Sequence, residues 1–159
     1  MSRERNESRA TIVPDGTEQM DECRAWLAFA QTDYDCAEYL NKAPLHPRPL
    51  NVICYHCQQA AEKAIKALIV YFGSQGGVPK AHDLSFLLGQ IRHIVFERKR
   101  IEISHDLMTM ADSLSKYGVA PRYPNEMEVD EAQTAKALKS SGKIIAWVRQ
   151  VIAAEPVQK

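Results

Sequence analysis

The sequence predicts an all-α protein, an antiparallel up-and-down bundle of about five helices. Three observations carry that prediction. Apolar residues recur at helical spacing in five stretches, glycine and proline clusters separate those stretches, and no segment shows the strict alternation of a half-buried strand. Short connections between helices of similar length favour antiparallel neighbours.

The polar stretch Met1 to Gly16 ends in the turn signal Pro14-Asp15-Gly16, so residues 1–16 read as a flexible leader. The first helix begins near Thr17 or Asp21 and runs to Asn41, with Trp26, Ala30, Asp33 or Tyr34, Ala37 and Leu40 in helical register. Pro44, Pro47 and Pro49 must end it, because a proline inside a helix removes a hydrogen bond and clashes with the preceding turn. The second helix, Leu50 to Phe72, is the longest and most regular, and Gly73, Gly76 and Gly77 stop it.

A third, shorter helix starts at His82-Asp83 and carries Leu84, Leu87, Leu88 and Ile91. A fourth spans Arg100 to Tyr117, with Ile103, Leu107, Met110 and Leu114 on one side. Gly118 to Asn125 holds Pro121 and Pro124 and reads as a loop. The last helix follows Ala135, Leu138, Gly142, Ile145, Val148 and Ile152. The bundle therefore occupies 17–153, with a short tail at 154–159.

At 159 residues and 45% hydrophobic content the chain can bury one real core but not two. Lysine plus arginine equals aspartate plus glutamate, 20 each, which argues against a global basic field for unspecific attachment to nucleic acid or an anionic membrane. A local basic patch is compatible with that balance. No apolar run has membrane-crossing length and Met1 to Arg9 is charged, so the expectation is a soluble, cytoplasmic protein with no membrane association. Cys23, Cys36, Cys54 and Cys57 are then expected as reduced thiols.

The segment Cys57-Gln-Gln-Ala-Ala-Glu-Lys-Ala-Ile-Lys66 is the most informative. At 100° per residue Cys57, Ala61, Ala64, Leu68 and Phe72 share one stripe. Gln59, Glu62, Lys63 and Lys66 fall roughly opposite, mixed with Val52, Tyr55 and Val70. That mixed face is expected to meet a ligand, another helix or another subunit.

Four motifs carry candidate chemistry. Cys54-Tyr-His-Cys57 has C-x-x-C spacing, but both thiols lie on the apolar stripe and no second ligand pair exists, so buried thiols are favoured and no metal is expected. Gly73 to Lys80 lacks both the preceding strand and the Ser or Thr of a phosphate-cradling loop, so a helix stop is favoured. His82-Asp83 admits two readings: Asp83 caps a helix, or His82 projects as a titratable, phosphate-contacting group. Arg122-Tyr123-Pro124 likewise admits an anion clamp, with Arg122 as a bidentate fork, or a structural contact in which Tyr123 packs and Arg122 pairs with a carboxylate such as Glu62.

Trp26 with Asp33, then Gln58-Gln59-Ala60-Ala61-Glu62-Lys63-Ala64-Ile65-Lys66-Ala67, Lys80-Ala81-His82-Asp83-Leu84 and Arg122-Tyr123-Pro124, in that order, resemble the HEPN domain family over about Asp21 to Ile152. The resemblance implies a helical bundle that forms homodimers, is often encoded beside a minimal nucleotidyltransferase, and is linked to nucleotide or RNA chemistry. Many family members are ribonucleases with an Arg-x4-6-His motif. Here the last helix holds Arg149 but no histidine, and the Arg-Tyr-Pro loop resembles the branch discussed as nucleotide-binding.

Arg100 and Arg98 do stand at nuclease spacing before His105. With ten arginines and five histidines in the chain, about one such match arises by chance, and Arg100 is followed by Ile101 where the family motif favours a polar residue.

The leading expectation is a non-catalytic dimeric module binding a nucleotide or phosphate-bearing partner through Lys63, Lys66, His82, Asp83, Arg122 and Tyr123, with no cofactor and with a nucleotidyltransferase as possible partner. One alternative is a metal-independent ribonuclease of toxin-antitoxin type using His105 with Arg100 or Arg98. The other is a purely structural assembly subunit whose second helix pairs with its symmetry mate.

Overall fold

A computed structural model of the chain describes residues 16–73, 76–118 and 128–158. Among the described residues five α-helices follow one another, α1 Gly16–Lys42, α2 Leu50–Tyr71, α3 Leu84–Lys99, α4 His105–Ser115 and α5 Glu131–Ala153, with a 3-10 turn at Lys116–Gly118 after α4. There is no strand among the described residues.

The second helix is the axis of the bundle. It packs most extensively on α1 and α5, and touches α3 and α4 as well. Alanine explains how so many neighbours fit: Ala60, Ala61, Ala64 and Ala67 are completely buried, and their short side chains let adjacent backbones come close. Between them Ile53, Ile65, Leu68 and Ile69 fill the core with Leu84, Leu87, Leu88, Leu114 and Ile144. Each such side chain contributes about 1.5–3 kcal/mol of apolar burial. Close approach recurs between α1 and α5, where a Cβ on Gly142 would stand 2.9 Å from the Tyr34 hydroxyl. Between α2 and α5, Ser141 Oγ donates to the Cys57 carbonyl at 2.8 Å.

Local chemistry sets the helix ends. Asp83 accepts from Phe86 N at 2.8 Å and Ser104 from Leu107 N at 3.1 Å. Asp130 and Gln133 form a reciprocal capping box. The end of α2 is closed by Gln19 from α1, whose Nε2 donates to the carbonyls of Val70 and Tyr71 at 2.8 and 3.0 Å. Gly73 follows at φ 69°, a left-handed backbone that favours glycine. Arg48 ties the α1–α2 connection together, donating to the Asn41 carbonyl at 2.8 Å and to Glu131 at 2.6 Å.

Two points differ from the sequence reading: among the described helices α1, with 27 residues against 22 in α2, is the longest, and one boundary is displaced. The third helix is longer than expected, running to Lys99, and the fourth begins at His105 rather than Arg100. Arg100 takes a left-handed conformation, φ 54°, as the C-cap of α3, and Ile101 to Ser104 are non-helical until the Ser104 cap starts α4. The apolar periodicity of Ile103 and Leu107 continues across this break, because both residues reach the same core. The tail is held as well: Lys99 Nζ bonds the Tyr71 hydroxyl at 2.9 Å and the Ala154 carbonyl, and Val157 N donates to the Arg98 carbonyl at 3.0 Å.

No described helix is long and apolar enough to cross a membrane.

Candidate functional site

Gln58, Glu62 and Lys66 repeat every four residues and so line one face of α2. All three are buried, at 0, 4 and 6% exposure, where the periodicity alone left open whether Glu62 and Lys66 meet a ligand, another helix or another subunit. The start of α3 accounts for the burial. Gln58 Nε2 donates to the His82 carbonyl at 3.1 Å, and His82 Nδ1 stands 3.1 Å from Glu62 Oε1. From α1, the Trp26 ring lies 5.9 Å from Lys66 Nζ.

Burying a carboxylate is costly unless it is paired and hydrogen-bonded. Glu62 meets both conditions. Lys66 Nζ donates to Oε1 at 2.7 Å and Gln58 Nε2 to Oε2 at 2.9 Å, and the His82 ring adds a third donor. Burial pushes the Glu62 pKa up, but the hydrogen bonds from Lys66, Gln58 and His82 and the Lys66 charge outweigh it and hold the group below the ordinary carboxylate value.

Because an ionised carboxylate can only accept, this contact places a proton on His82 Nδ1. In the neutral ring Nε2 then keeps its lone pair. The His82 side chain is 70% exposed, so an imidazole gripped at one nitrogen by a buried carboxylate offers the other to solvent. Such a ring can accept a proton or, once charged, contact an anion. Its neighbour Asp83 is the α3 N-cap, as the capping reading has it, while the His82 side chain stands largely in solvent.

The other sequence-selected residues lie elsewhere. Lys63 faces α1, paired with Asp33, whose second oxygen is 3.0 Å from His56 Nδ1. Lys63 and Lys66 therefore both carry compensated charges, each on its own carboxylate. Of the occupants expected for the mixed α2 face, this burial fits another helix: Val70 is 8% exposed, while Val52 at 45% is open at the far end. Arg100 lays its guanidinium 5.3 Å over the Phe96 ring, and His105 is the exposed first residue of α4; no hydrogen bond joins them among the described residues. Arg122 and Tyr123 lie outside the described residues, as does the leader up to Asp15. The last described residue before that loop, Gly118, is pressed on the site: a Cβ there would stand 2.9 Å from Gln58 Nε2.

Cys54 and Cys57 are fully buried, and burial pushes the Cys57 thiol up to about 12. Among the described residues no three His, Cys, Asp or Glu side chains cluster to hold a metal ion. Sequence reasoning assigned no role to Gln58 or Trp26. The usable signal for Gln58 was its i, i+4, i+8 alignment with Glu62 and Lys66.

The described helices thus form an all-helical bundle with a carboxylate, a lysine and a glutamine buried on its central helix and a histidine held to them from just before α3. The chain matches the HEPN domain model over residues 23–151 and belongs to that family. It is 33% identical over 106 residues to a Methanocaldococcus jannaschii protein named "Putative toxin MJ1304". That match takes in 64% of this chain and 62% of the relative, so the chain spans about three fifths of that relative's length. TT1696 from Thermus thermophilus superposes with a TM-score of 0.63 at 26% identity, over 81% of this chain and 97% of that one. ST0689, an archaeal HEPN homologue, shares the fold with a TM-score of 0.60 at 22% identity, over 82% and 97%.

Proposed function

We propose that this chain is the HEPN component of a toxin-antitoxin-type pair, a homodimeric module that takes a nucleotide or the phosphate end of an RNA at His82 and works with a minimal nucleotidyltransferase. The observation that carries the reading is the His82 imidazole, exposed at Nε2 and fixed at Nδ1 by buried Glu62. A ring held this way is oriented before the ligand arrives, which lowers the entropic cost of binding. Lys66 acts through Glu62 by keeping it ionised, and Lys63 orders the α1–α2 face through Asp33. Arg122 and Tyr123 follow Gly118 by four and five residues, within chain reach of the site at about 3.5 Å per residue. They add a bidentate contact and a stacking ring.

The dimer is proposed to form on α1. Ala25, Phe29, Thr32, Cys36 and Tyr39 are all exposed and follow heptad spacing, with Phe29 at 62% and Tyr39 at 74%. Antiparallel self-pairing centred on Thr32 sets Glu22 of one copy beside Lys42 of its mate, a complementary pair.

Calorimetry with a ribonucleotide panel tests the site. Binding weakened about tenfold, roughly 1.4 kcal/mol, by His82→Ala and by Arg122→Ala is expected. An absence of binding across the panel, or both variants binding as the wild type does, rules the reading out. Sedimentation of Phe29→Glu checks the dimer, with a shift to monomer as the expected result.

A further inference from the structure

A second polar cleft, of about 210 Å³, opens between the end of α4 and the first half of α5. Its polar lining is Ser113, Lys116 and Tyr117 on one side and Gln133, Lys136 and Ser140 on the other, with no carboxylate among its described lining residues. Ser140 is only 5% exposed, yet its hydroxyl has no hydrogen-bond partner among the described residues. The hydroxyl is also not sealed away from solvent, as the Ser85 hydroxyl is; it opens on the cleft. A nearly buried hydroxyl without a partner is unusual in a folded protein and points to a ligand that completes it.

The charge around the cleft names that ligand's chemistry. The chain as a whole is neutral, but the segment between Glu131 and Glu155 contains Lys136, Lys139, Lys143 and Arg149 and no acid at all. Neither Lys136 nor Lys116 makes an ion pair with a carboxylate among the described residues, and the Lys116 ammonium lies 5.0 Å from the Tyr117 ring. Two ammonium groups and two serine hydroxyls around a small concavity suit an anion with several acceptor oxygens. At roughly 30 Å³ per water the volume corresponds to about seven waters, which is room for a phosphate group with its hydration. It lies below the roughly 300–1,000 Å³ of sites that enclose a drug-sized ligand.

We propose that the α4–α5 cleft is a phosphate-binding site, in which the Ser113 and Ser140 hydroxyls and the Lys116 and Lys136 ammonium groups hold a phosphomonoester or phosphodiester. It is separate from the His82 site, sharing none of its side chains. Its phosphate comes either from a free small molecule or from a polynucleotide continuing along α5 over Lys139 and Lys143, which line a shallower neighbouring cleft with Arg149 and Gln31.

Amide chemical-shift titrations of the full chain with inorganic phosphate, adenosine monophosphate and a uridine tetranucleotide test the assignment. Saturable shifts at Lys116, Lys136 and Ser140 are expected with at least one of the three. Ser140→Ala is the decisive variant: it leaves every charge in place and favours helix, so diffuse electrostatic attraction survives it, whereas a built site weakens about tenfold. His82→Ala leaves these shifts unchanged if the two sites are independent. Loss of tetranucleotide binding alone in Lys139→Gln/Lys143→Gln identifies the polynucleotide source, and an unchanged response identifies the small molecule. Non-saturating shifts, or Ser140→Ala titrating as the wild type does, overturn the proposal.

Discussion

Replacing Lys66 by methionine tests the central electrostatic argument. The substitution keeps the long stem beside Trp26 and removes only the ammonium, which sits 2.7 Å from Glu62 on side chains 8 and 6% exposed. Glu62 is then left as a buried carboxylate with two remaining donors. Removing one member of a buried pair costs about 3–5 kcal/mol. For a chain of this length each kcal/mol lowers the Tm by about 2–4 °C, so a drop of roughly 6–20 °C is expected.

The pH dependence sharpens the test. Because the folded Glu62 pKa lies below its unfolded value, the stability the ionised group contributes is fully present above the unfolded value of about 4.3. It is lost as pH falls through the folded pKa. The deficit of Lys66→Met is therefore large at pH 7 and narrows as pH falls through the folded Glu62 pKa, where the wild-type carboxyl becomes neutral like that of the variant. Adding Glu62→Gln to Lys66→Met should recover at least about half of the loss, because the uncompensated charge is gone. Urea denaturation of the wild type and the two variants at pH 7 and pH 3.5 measures all of this. A deficit under about 1 kcal/mol at pH 7, or one equal at both pH values, would refute the buried-pair reasoning.

Two further outcomes follow from packing. Gly89→Ala, in open space on α3, should gain about 0.5–1 kcal/mol in urea denaturation, while Gly142→Ala should show no such gain unless Tyr34→Phe removes the hydroxyl at 2.9 Å. In a thiol titration of the Phe29→Glu monomer only Cys36, the exposed cysteine, should react promptly, with Cys23, Cys54 and Cys57 modified after unfolding, whereas the wild-type dimer should protect Cys36. Burial holds the Cys57 pKa at about 12, so its neutral thiol favours the fold fully below the unfolded value of about 8.5. That contribution fades as pH rises through 12.

The helices were legible because their signals are local. Pro44, Pro47 and Pro49 end α1, the glycines from Gly73 end α2, and Asp83 caps α3, whatever surrounds them. The α3–α4 boundary was less legible: Ile103 continues the apolar pattern of α4, and only the left-handed turn at Arg100 separates the helices. At the site, His82 and the Glu62–Lys66 pair stood out in the sequence as chemistry-bearing residues. Their relation did not, since twenty residues separate Glu62 from His82 and no periodicity reaches across a loop. The unpartnered Ser140 hydroxyl had no sequence signal, because serine in a helix looks alike whether or not a neighbour satisfies it.

By itself the sequence determined the all-helical class, the order of five helices and the family, because hydrophobic period, caps and breakers act within a few residues. Only the tertiary structure decided which polar groups are inside. Amphipathic spacing says that Gln58, Glu62 and Lys66 share a face. Whether that face meets water, a ligand or the protein's own histidine depends on where α1 and α3 settle. That position is fixed by long-range packing on the alanine faces of α2.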